Sequence, residues 1–87
     1  MHAVVVRVTI TDPEGATTEL RENVVPRVSQ APGFVAGYWT REGSGGLSMI
    51  VFESEDAARA ASEQIPQGMP DTVELESVEV REVVANA

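Results

Sequence analysis

Residues 3–10, AVVVRVTI, are apolar on both alternating sets of positions. Val4, Val6, Val8 and Ile10 fall on one side, and Ala3, Val5, Arg7 and Thr9 on the other. β-branched residues favour an extended strand, and successive strand residues point to opposite faces of the sheet. A sheet with one wet face alternates cleanly between apolar and polar. This strand does not, so the fold has to cover both of its sides.

The remaining chain supplies one cover directly. Asp12 is a good N-cap, Pro13 suits the first helical turn, and Glu14 favours the positive end of a helix. Leu20, Val24, Val28 and Ala31 then recur at helical spacing, which predicts a buried helix face. Pro26 lies inside that run and cannot donate to the carbonyl of Glu22, which predicts a kink. The stretch APG at 31–33 stops the helix, because Ala31 precedes a proline and Gly33 accepts the turn.

A second strand is expected from Phe34 to about Arg41, then a loose hairpin at EGSGG and a third strand, LSMIVFE. Ser54 caps a second helix with Glu55 and Asp56 in its first turn and Ala58, Ala61 and Ile65 on one face. PQGMP breaks it, and a last strand is expected from about Thr72 to Val84. The order is β-α-β-β-α-β over one domain, residues 1–87, with no linker or repeat. Right-handed crossovers put both helices on one face of a four-stranded antiparallel sheet, in the order 4-1-3-2.

The other face then stands open. Leu47, Met49 and Val51 alternate with Ser48, Ile50 and Phe52, so the third strand is half apolar on each side as well. In the last strand Val73 and Leu75 share one parity, whereas Val78, Val80 and Val84 share the other. A bulge near Glu76–Ser77 would reconcile them. The far half of that strand is then expected to leave its own sheet for the exposed edge of strand two in a second copy.

Size argues in the same direction. A chain of 87 residues buries only about 60–65% of its unfolded surface, and without cysteine it has neither disulfides nor a thiolate zinc site to help. The partner expected is therefore a second copy of the chain, sheet against sheet about a twofold axis. Fourteen acids against six bases, all arginine, give a net charge of −8. That field repels phosphate, so neither nucleic acid nor a membrane is expected as a partner. No apolar run approaches the ~20 residues of a membrane span, no signal peptide is evident, and the expected location is the cytoplasm.

The pattern resembles the dimeric α/β-barrel superfamily, with its ferredoxin-like βαββαβ subunit and its antibiotic-biosynthesis-type monooxygenases. The resemblance spans about residues 3–84 and is carried by VVPRVSQAPGFVAGYW, SMIVFESEDAARAA and ESVEVREVV. It implies an α+β homodimer with a cleft, between sheet and helices or between two sheets, for a small apolar or aromatic molecule, and cofactor-independent monooxygenase activity as one use of it. No cofactor is expected. Family oxygenases and haem degraders group Asn, Trp and Tyr or His in that cleft. Here the asparagines are Asn23, on the first helix, and Asn86, in the tail, so the grouping is not matched.

The ligand-binding candidates are Arg7, Tyr38, Trp39 and Phe52. Arg7 sits on a central strand, where a guanidinium needs a carboxylate such as Glu76 or Glu79, or a bound anion. Tyr38 and Trp39 are neighbours on one strand, so only one of them can enter a given cavity. Gly37, two residues before Trp39, leaves room for a close neighbour. The lone histidine, His2, is expected at a frayed end, and GSGG at 43–46 is a turn rather than a phosphate loop. Glu53, Glu55 and Asp56 are explained by a helix start without a metal.

Two other functions fit the same element order. A ligand-sensing module of the ACT type would bind amino acids at subunit edges, but TDPEGA has that family's turn residues in another order. A purely structural dimer would bind no small molecule. An RNA-binding sheet would need basic and aromatic residues that this acidic chain lacks.

Overall fold

A computed structural model describes residues 1–87. Strand β1 (His2–Ile10) is followed by a first helical arm, then β2 (Phe34–Glu42), β3 (Gly45–Phe52), helix α3 (Glu55–Gln64) and β4 (Val73–Glu82). The arm has three parts: α1 (Pro13–Glu19), a π-helical turn (Leu20–Val24) and α2 (Val25–Ser29). All four strands form one antiparallel sheet in the order β2-β3-β1-β4, with β1 and β3 inside. No helix is long and apolar enough to cross a membrane.

Local chemistry sets the element ends. The Asp12 carboxylate accepts from the Gly15 amide at 3.2 Å, and Ser54 Oγ accepts from the Ala57 amide at 3.1 Å. Gly33 takes φ 79°, and its carbonyl accepts from the Glu53 amide at 2.8 Å, tying the helix stop to the end of β3. The expected kink takes the form of the π turn just ahead of Pro26. There the Val25 amide donates to Leu20, five residues back, which opens the helix where proline cannot close it. The hairpin is tighter than expected. Glu42 pairs with Gly45, so the loop is Gly43-Ser44, and Gly43 (φ 59°) supplies the positive φ that such a loop takes.

Two bulges decide which residues face the helices. On β4, Arg7 pairs with Ser77 and Val8 with Leu75, leaving Glu76 as the extra residue. This is the bulge that the parity break implies. On β2, Phe34 pairs with Phe52 and Ala36 with Val51, so Val35 is extra and 46% exposed. That second bulge brings Phe34 and Trp39 to the same side although they are five positions apart.

The expectation that β4 departs for another subunit is not met. Its far half stays paired with β1, Val80 opposite Val4 and Glu82 opposite His2. Strand β1 runs the full length of the sheet and offers an uninterrupted ladder. The tail beyond Glu82 continues only as far as the Val83 amide, which donates to the Met1 carbonyl at 3.0 Å. His2 is likewise held in the ladder rather than frayed.

The core is small. Eight residues of the chain are buried, and Val4, Val6, Ile50, Phe52 and Ala58 form its centre between the sheet and α3. Ala58 is fully buried, and its short side chain lets α3 lie close to β1. The outer sheet face has no cover. There Tyr38 stands opposite Met49, at 65% and 45% exposure, with Leu47 beside them.

Candidate functional site

The first helical arm does not close down on the sheet as α3 does. Between the two runs a trough of about 420 Å³. Its floor is Val6, Val8 and Ile50, its roof is Leu20, Val24 and Val28, and Ile65 and Met69 also line it. The gap has a sequence cause. Gly46 and Ser48 put little bulk on the helix-facing side of β3, and the π turn alters the roof over them. Thirteen of the lining residues are hydrophobic, which suits an apolar guest.

Trp39 forms the side wall. It pairs with Ser48 across β2 and β3, and its indole folds back over Gly37, where a Cβ would lie 2.8 Å from Cη2. The polar lining is Thr17, Thr40 and Ser48, with Arg21, Arg27 and Arg41. No carboxylate and no imidazole is among the lining residues.

The four residues singled out from the sequence separate in space. Trp39 lines the trough. Phe52 lies behind the floor, 1% exposed, edge-on to Phe34 at 6.3 Å and 83°. Tyr38 and Arg7 are on the outer sheet face. The cavity that Trp39 borders thus lies between sheet and helices, not between two sheets. Arg7 is exposed, because a single chain leaves the outer face uncovered. Neither expected carboxylate pairs with it. Glu76 accepts from Thr9 Oγ1 at 3.0 Å, and Glu79 binds Arg81.

Other charged groups lie outside the trough. On α3, the hydrogen bond from Arg59, followed by its charge, holds the Glu55 carboxyl below its usual 4.5. No group of three or more His, Cys, Asp or Glu residues is placed to hold a metal. The His2 Nδ1 atom is buried without a partner, but His2 does not line the trough.

No family model matches the sequence, and no curated protein matches it. Solved structures do. A dimeric ferredoxin-like protein from an uncultured marine organism aligns with a TM-score of 0.62 and 12% identity, over 100% of this chain and 98% of its own. The haem degrader MhuD from Mycobacterium tuberculosis, solved with two haems bound in its active site, aligns with a TM-score of 0.54 and 22% identity. That match covers 97% of this chain and 98% of MhuD. The fold is ferredoxin-like. At these identities, the likeness to both proteins is one of architecture.

Sequence alone does not single out the three arginines or the trough they line. Arg21 is adjacent to Leu20 and three residues before Val24, so its helical position flanks the apolar stripe. Arg41 shares the parity of Gly37 and Trp39. Both signals were present, but neither becomes distinctive until the roof and floor are known to stand apart.

Proposed function

We propose that the protein is a homodimeric binding protein that holds a small apolar or aromatic molecule in the trough, with Trp39 as its wall. The observation that carries this is the trough itself. A chain with only eight buried residues leaves a 420 Å³ apolar space beside its core instead of collapsing into it. Filling that space removes apolar surface from water on both partners, at roughly 25 cal/mol per Å². Phe52 supports the floor from behind, while Arg7 and Tyr38 belong to the surface between subunits.

Dimerisation through the outer face is supported by the exposed Tyr38, Leu47 and Met49 and by the dimeric state of the marine protein. A cofactor-independent monooxygenase would use the same trough as its reaction chamber. The lining supplies no base to take a substrate proton, so binding is the better-supported role. Nor does the lining suit haem. It offers no imidazole, thiolate or phenolate, and the Met69 thioether is its one soft donor.

The test uses Trp39 as reporter, the single tryptophan in the chain. Titration with the neutral dye N-phenyl-1-naphthylamine should quench Trp39 and brighten the dye. Val24→Phe, which fills the trough from its roof, should weaken uptake while the protein stays folded. A dye that leaves Trp39 unchanged, with an unmoved melting temperature, would refute the binding role and leave the structural dimer.

A further inference from the structure

We infer that the natural occupant of the trough is an acid: an apolar body carrying a carboxylate, bound by Arg21 and Arg41. This rests on the binding role proposed above and adds the chemical class of the ligand.

The distribution of charge carries it. Fourteen acids surround six arginines in this chain, so an arginine has ample opportunity to find a carboxylate. Arg59 and Arg81 do, with Glu55 and Glu79. Four arginines form no ion pair, and three of those, Arg21, Arg27 and Arg41, line this single trough. No acid lines it. In a molecule of net charge −8, the trough is a local reversal of sign, which draws an anion toward an otherwise repelling surface.

The three arginines are not equivalent. Arg27 is committed to the protein, its Nη2 donating to the Gly68 carbonyl at 3.2 Å. Gly68 has no Cβ, and one placed there would fall 2.6 Å from that nitrogen, so the glycine makes room for the latch. Arg21 and Arg41 make no side-chain hydrogen bond within the chain, which leaves their donors for a ligand. Arg41 stands opposite Gly46, two residues along from the Trp39–Ser48 pair and on the same face of the sheet. It therefore stands toward the hairpin from Trp39, on the same face of β2.

A planar guanidinium grips a carboxylate through two parallel hydrogen bonds, a geometry that an alcohol of the same length cannot satisfy. The pocket volume is that of a small-molecule site, suited to a medium-chain or fused-ring carboxylic acid.

The experiment is competition against bound N-phenyl-1-naphthylamine at neutral pH, comparing dodecanoic acid with 1-dodecanol. In the wild-type protein the acid should displace the dye at a concentration at least about tenfold lower than the alcohol, the scale of a charged hydrogen bond. The double variant Arg21→Gln, Arg41→Gln should keep the dye but lose the preference. Arg59→Gln removes one positive charge outside the trough, on α3, and should keep it. Arg41→Lys, which retains charge and stem without the planar fork, should keep only part, and it serves if the double variant does not fold. Equal displacement by acid and alcohol, or an undiminished preference in the Arg21/Arg41 variants, would overturn the inference while leaving the binding role intact. Failure of the dye to bind at all would defeat the binding role, and the inference with it.

Discussion

The Trp39 indole lies across Gly37, so close that a methyl group there would sit 2.8 Å from Cη2 and 2.9 Å from Cζ3. The glycine is what lets the ring fold flat against β2 and become a wall of the trough. Gly37→Ala should therefore displace the ring. We expect a loss of stability of about 1–3 kcal/mol, the usual cost of overpacking, together with a shift in tryptophan emission. Denaturant titration followed by fluorescence reads both. An unchanged midpoint and spectrum would mean that the ring has room to spare.

Phe52 is a core residue, 1% exposed and packed edge-on against Phe34. Phe52→Ala should cost about 3–5 kcal/mol, measured by chemical denaturation. A mild loss of stability accompanied by a selective loss of dye binding would instead place Phe52 in the site.

Ser54 caps α3 through the Ala57 amide. Ser54→Ala leaves that donor without its partner and should cost about 1 kcal/mol. A denaturant midpoint equal to that of the wild type would show that the helix starts elsewhere.

Glu55 gives a pH signature. Its folded carboxyl titrates below the usual 4.5 because Arg59 hydrogen-bonds and charges its surroundings. A depressed carboxyl contributes stability above its unfolded pKa, and that contribution fades as pH falls through the folded value. The side chains are exposed, so the effect on stability should be slight and screened by salt. An NMR titration should place Glu55 below 4.5, and Arg59→Gln should raise it. A titration unmoved by the substitution would remove Arg59 as the cause.

The proposed dimer joins through the outer face. Tyr38 and Met49 face one another there with no helix above them, and Met49→Arg would place a charge in the middle of any sheet-to-sheet contact. Sedimentation should show a dimer for the wild type at micromolar concentration and a monomer for the variant. A folded wild-type monomer would rule out the dimer.

Much of this architecture was legible in the sequence because it rests on local chemistry. Asp12, Ser54 and Gly33 mark element ends by capping and turn preferences that hold in any context. The β4 bulge was legible because Val73 and Val78 break parity. The β2 bulge was not, since Val35 and Ala36 are both apolar and either parity reads as a strand. Arg7 misled for a related reason. A central strand suggested burial, but burial depends on what covers the outer face, and within the chain no helix covers it. The trough arises from the distance between the helical arm and the sheet, and no single stretch of residues records that distance.

The decisive measurement is therefore one that distinguishes the two faces of the sheet. Backbone amide shifts recorded with and without N-phenyl-1-naphthylamine report which residues the molecule approaches. Perturbations are expected at Val6, Val24, Val28, Trp39 and Ile50, around the trough. Perturbations confined to Val5, Tyr38, Leu47 and Met49 would put the dye on the outer face and contradict the proposed binding site.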